Sequence, residues 1–160
     1  MNKFKKVAAV AVLSTLALTG CTKVEEKGDY KEGTYFGYAE AESYGTMYYS
    51  TAVVYVNESG MIKSVFLDNT YEKNKDGVHT TKKVLGDDYD MKETSAGMGN
   101  IEGGAEWFEQ AEVIEDKVIE KQGLDWAKLT DENKLDGVSG VTITADTYVK
   151  AIDEALKQAK

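Results

Sequence analysis

Near the end of the chain, Asp136-Gly137-Val138-Ser139-Gly140-Val141-Thr142-Ile143-Thr144 gathers three hydroxyls behind one carboxylate. Gly137 and Gly140 allow tight backbone with φ > 0, or close approach by another group. Thr144 is a natural N-cap, because its side-chain oxygen can accept from free N–H groups in a first helical turn. Asp146 then falls where the helix dipole favours negative charge. On this reading Thr142 sits two residues ahead of a helix N-terminus, a place that welcomes a phosphate. The same pattern of small residues also suits an ordinary turn with an N-cap.

Several elements must position these residues. A last helix, 144–159, places Tyr148, Ile152, Ala155 or Leu156, and Ala159 on one stripe, suited to packing on a sheet. A second helix is predicted over about 105–122. There Trp107, Ala111, Ile114 and Val118 recur at helical spacing, while Glu106, Glu109, Glu112, Glu115 and Asp116 lie largely on the other side. Gly123 is a plausible stop. Before them, aromatic-rich 34–39 reads as a strand. Met47 to Val56 and Met61 to Leu67 read as two more, joined by the turn Asn57-Glu58-Ser59-Gly60. Apolar side chains on both faces of 47–56 suggest a strand covered on both sides. The expectation is an α+β fold: a small antiparallel sheet starting with a β-hairpin within 34–67, packed against helices 105–122 and 144–159.

The first twenty residues read as a targeting segment. Lys3, Lys5 and Lys6 precede an apolar run from Val7 to Leu18. The run is short for a membrane span, which takes about 20 apolar residues. Leu18-Thr19-Gly20-Cys21 resembles a bacterial lipobox, in which the Cys thiol is acylated and becomes the new N-terminus. A simple secretory peptide or an uncleaved anchor, with Cys21 incidental, is the alternative. The lipobox reading leaves 140 residues with a net charge of −12, enough for one domain, 34–160, behind a polar tether over 21–33. Acyl chains such as palmitate on Cys21 would hold it at the extracytoplasmic face of the cell membrane. No thiol then remains for a disulfide, a metal or nucleophilic catalysis. The acidity argues against nucleic-acid binding.

Other candidate residues are weaker. His79 is the sole histidine, and with no free Cys it cannot complete a metal site by itself. Residues 68–86 read as polar, with a short helix over 80–85. Asp87-Asp88-Tyr89-Asp90 lacks the spaced acids and Gly of an EF-hand loop, which favours a solvated turn. The glycine-rich stretch 95–104 is neither a P-loop nor a dinucleotide fingerprint. It reads as a connector, or as bare backbone near a cofactor ring with Met98 covering one face. Tyr35, Phe36, Tyr38, Tyr44, Tyr48 and Tyr49 fit cross-strand pairs or core better than a binding site. No repeat and no proline are present.

Asp136-x-x-Ser139-Gly140-Val141-Thr142 resembles the flavinylation motif of the FMN-binding domain family. One departure is visible, since Val141 stands where that family usually has Ala. The hairpin, the run Glu106-Trp107-Phe108-Glu109-Gln110-Ala111 and the run Val118-Ile119-Glu120-Lys121-Gln122-Gly123 are similar to the same family. The family occurs in flavin subunits of the sodium-pumping NADH:quinone reductase and the Rnf complex, and in lipoproteins of extracellular electron transfer. The resemblance implies one covalent FMN, attached through the Thr142 hydroxyl by a flavin transferase that uses FAD. Asp136, Ser139, Gly140 and Val141 would complete the recognised motif. Electrons would come from a membrane reductase or another flavoprotein, so the chain would be an electron carrier more than an enzyme with its own turnover. The competing expectation is a cofactor-free lipoprotein that binds a ligand or partner.

Overall fold

The computed structural model describes residues 27–43, 45–72, 79–98 and 101–160. The targeting segment, Cys21 and residues 22–26 of the tether lie outside the described residues, as do Gly99 and Asn100 of the glycine-rich stretch.

Strands β1 (Gly33–Ser43), β2 (Thr46–Val56) and β3 (Ile62–Glu72) form an antiparallel meander, and a short β4 (His79–Thr81) pairs with β3. The predicted turn is present. Asn57 Oδ1 accepts from the Met61 N–H at 2.9 Å, and Gly60 takes φ 78°. Two long helices, α3 (Trp107–Lys121) and α4 (Asp146–Gln158), cover one face of the sheet. Between β4 and α3 run a single helical turn, α1 (Lys82–Leu85), a 3₁₀ turn (Gly86–Tyr89) and α2 (Lys92–Gly97). The result is the expected α+β fold in two layers.

Period-two patterning explains which face is covered. Ala52, Val54, Val56, Ile62, Val65 and Leu67 point inward and are buried. They meet Trp107, Ala111, Ile114 and Val118 from α3, and Tyr148, Ala151, Ile152, Ala155 and Leu156 from α4. Both predicted helical stripes are therefore core. At Gly37 the backbone of β1 approaches α4 so closely that a Cβ would lie 2.0 Å from the Ala151 carbonyl oxygen. Among the described residues β1 has no strand partner on its outer side, where Gln158 Nε2 donates to the Phe36 carbonyl at 2.7 Å.

Several sequence expectations are corrected. β2 is covered on one face only: Tyr55 is exposed, and beside it so are Phe36, Tyr38, Tyr49 and Phe66. Phe36 and Tyr38 stack at 6.3 Å, which makes the outer face a run of aromatic neighbours. The domain starts before Thr34. Gly28 N–H donates to Ser59 O at 2.8 Å, and Lys31 N–H donates to Ala159 O at 2.7 Å, so these residues are strapped to the fold. The polar stretch after Leu67 continues β3 to Glu72 and includes β4, and Thr81 caps α1 two residues later than the expected helix start. Glu106 and Glu115 are buried, not on the solvated side of α3. Glu106 accepts from the Met91 and Lys92 N–H groups, which serves the start of α2. Glu115 Oε1 accepts from Leu67 N–H and pairs with Lys83, both at 2.6 Å. The helix ends on Gln122 in the left-handed region (φ 54°), one residue before the predicted stop.

Candidate functional site

The connector after α3 folds into a small hairpin that delivers the motif. Leu129 bridges Leu135, Lys134 bridges Thr144, and Asp136 N–H donates to Lys128 O at 2.8 Å. Leu135 is buried and anchors this hairpin in the core. Two left-handed glycines then turn the chain, Gly137 at φ 66° and Gly140 at φ 84°, as their lack of a Cβ permits. Asp136, Gly137 and Ser139 are exposed, Gly140 is half-buried, and Val141, Thr142 and Ile143 descend into the core.

Thr144 is not the N-cap of the last helix. Its pairing with Lys134 holds it in a bridge, and Ala145 N–H donates to Asn133 O at 2.7 Å. Helix α4 therefore begins only at Asp146, with Ala145 at the cap position and no side-chain cap bond. Asp146 does stand in the first turn, as expected. Thr142 lies four residues ahead of it, so the free N–H groups of that turn are not what Thr142 meets.

Gln110 takes their place. It is fully buried, from the middle of the first turns of α3. Its Oε1 accepts from Thr142 N–H at 2.7 Å, Thr142 Oγ1 at 3.1 Å and Ile143 N–H at 3.3 Å. Its Nε2 donates to Ala105 O at 3.1 Å. One amide thus fixes the backbone of the motif against the helix. Sequence reasoning missed it, because a Gln on an acidic helix carries no signal of burial beyond its spacing three residues after Trp107.

Thr142 is 2% exposed but borders a cleft of about 260 Å³. Trp107, Tyr148, Tyr89 and Met98 supply its apolar wall, and Lys82 and Lys134 its cations. Trp107 Nε1 donates to the Tyr148 hydroxyl at 3.1 Å, with ring centroids 5.6 Å apart. Burial pushes the Tyr148 phenol well above its usual range, so it stays neutral. Burial also raises Tyr89, with the Tyr71 phenol adding to it. Lys82 is pushed down to about 8 by burial, against the opposing pull of Asp68. Met98 and Thr142 share this cleft, so the glycine-rich stretch does lead to the motif.

The lining offers the residue Thr142, two lysines, and aromatic and thioether surface, a set whose chemistry a flavin phosphate ester would fit. Pockets that enclose a whole ligand hold about 300–1,000 Å³, so this cleft would cover part of such a group. Freeing the Thr142 hydroxyl costs one hydrogen bond, about 1 kcal/mol. Gln110 Oε1 would keep its two N–H donors.

The remaining candidates are dispersed. His79 lies exposed on β4, and Asp87, Asp88 and Asp90 are exposed around the 3₁₀ turn. Among the described residues no three His, Cys, Asp or Glu side chains cluster to hold a metal, and no helix is long and apolar enough to cross a membrane. No protein-family model matches the chain, and comparisons with curated proteins and with solved structures return no match.

Proposed function

We propose that the protein is a lipid-anchored, extracytoplasmic electron carrier with one FMN esterified to Thr142. The supporting observation is the loop 136–142. Its first half is exposed where a modifying enzyme could grip it, and its second half ends at Thr142, a residue that lines an aromatic, cationic cleft and whose hydroxyl donates to Gln110 Oε1. In the attachment reaction the Thr142 oxygen would bond to the flavin-side phosphorus of FAD supplied by the transferase, with the P–O–P bridge broken, AMP as leaving group and the hydroxyl proton passed to solvent. When bound, the flavin supplies reversible electron transfer, and the chain supplies position and charge. Gln110 orients the loop, Trp107 and Tyr148 exclude water from one wall, and acylated Cys21 would keep the domain near a membrane donor. A covalent bond is useful outside the cell, where a dissociated cofactor is lost.

Co-expression with a flavin transferase in an exporting host tests this. The mature chain is expected to gain one FMN less water by intact mass, and to fluoresce in a denaturing gel. Thr142→Ala should abolish both. A wild-type chain that stays colourless and gains no mass overturns the proposal.

The exposed aromatic face of the sheet favours a second reading, a cofactor-free lipoprotein that binds a partner or ligand there. It predicts full function from the Thr142→Ala chain.

A further inference from the structure

The cleft beside Thr142 contains a cation that the described fold leaves without an ion pair. Lys83, its sequence neighbour, has Glu115 at 2.6 Å, and Lys134 has Glu132 at 3.2 Å. Among the described residues Lys82 has no carboxylate within ion-pair reach. Its ammonium instead lies 5.0 Å from the centre of the Tyr89 ring and 5.5 Å from that of Trp107. Ring faces attract a cation, but they do not replace water or a counter-anion around a half-buried charge.

The groups that face Lys82 place no carboxylate within ion-pair reach of it. From β3, Asp68 exerts a distant pull, but its Oδ1 already accepts from Asn69 N–H at 2.8 Å and Lys83 N–H at 3.1 Å. From the 3₁₀ turn and α4, Tyr89 and Tyr148 are both held neutral by burial. From α3 comes the uncharged Trp107, and from the connector a second cation, Lys134. One ammonium without an ion pair stands here, with the Lys134–Glu132 pair nearby, in a chain whose formal net charge is −9. It adjoins the one buried hydroxyl of the motif.

We propose that Lys82 is the countercharge for an oxyanion held in the Thr142 cleft. This rests on the reading of Thr142 as a flavin attachment residue. Two oxyanions of that ligand share the required chemistry: the phosphodiester formed at Thr142, and the ring once it is reduced. Either would fill the position that no carboxylate of the described fold occupies. The cost of keeping Lys82 charged before loading is then a cost removed by loading.

The test measures the amine itself. The full chain is acetylated competitively across a pH series, and the Lys82 peptide is quantified by mass spectrometry in three samples: unloaded, loaded and oxidised, and loaded and reduced with dithionite. Lys82 in the unloaded chain is expected to react with a midpoint near the low value that burial gives it. Loading should strengthen its hold on the proton about tenfold or more, which raises the midpoint by about one pH unit. A rise in the oxidised sample assigns the phosphodiester, and a rise only after reduction assigns the ring. An unchanged midpoint in both loaded samples overturns the inference, while the mass gain still upholds Thr142. A wild-type chain that gains no mass overturns the flavin reading and this inference together.

Discussion

Gln110 Oε1 reaches from within α3 to the Thr142 hydroxyl at 3.1 Å and to the Thr142 N–H at 2.7 Å, so the helix grips the loop at Thr142. Truncation would leave the Thr142 and Ile143 N–H groups buried without acceptors. Each orphaned donor costs about 1–3 kcal/mol. Gln110→Ala is therefore expected to lose at least about 2 kcal/mol in urea unfolding. In the flavin reading it should also lose most of its in-gel fluorescence. Unchanged stability would show that the grip is incidental.

Asp136 should behave in the opposite way. It is exposed, and its only hydrogen bond within the described fold comes from its own backbone N–H to Lys128 O. Surface changes of this kind usually stay within about 0.5 kcal/mol. Asp136→Ala is expected to melt like the wild type yet accept little flavin, measured as the ratio of loaded to unloaded mass. Full loading would show that the carboxylate is not part of what the transferase reads.

Gly37 tests how the sheet seats α4. An added methyl would meet Ala151 O at 2.0 Å and Ala155 N at 2.6 Å, both of them helix backbone. Neither atom can turn aside, so the helix must lift. Gly37→Ala is expected to cost about 1–3 kcal/mol, the usual range for overpacking, read as a lowered urea midpoint.

The hairpin, both long helices and their buried stripes were legible because their apolar periods are strong. The open outer face of β2 was not: Thr51, Val53 and Tyr55 look the same whether covered or bare. The late start of α4 was also hidden. Thr144 has the chemistry of a cap, but its bridge to Lys134 is a contact between residues ten apart that no local pattern announces. Buried Gln110 and Glu115 were invisible for a related reason, since each is satisfied by a partner far along the chain. The turns at Gly137 and Gly140 could be read directly.

Lys82 gives a pH prediction for the unloaded chain. Burial lowers it from 10.5 to about 8 in the fold, while the unfolded chain keeps the higher value. Between those pH values the unfolded state binds more protons, so stability rises with pH across the window. Below about pH 8 the full penalty is present. Lys82→Met, which keeps the stem against the two rings, should be more stable there by about 2 kcal/mol. The advantage should shrink as the pH climbs toward 10, in urea titrations of both chains. A constant difference across that range would refute the assignment.

The amide of Gln158, laid on the Phe36 carbonyl, has a consequence for molecules crowded side by side. The bare margin of a sheet invites a neighbouring chain to zip onto it. With one acceptor of that margin already occupied by its own last helix, each copy offers its neighbours a broken template. Concentration on a surface can then rise without the copies fusing into ribbons.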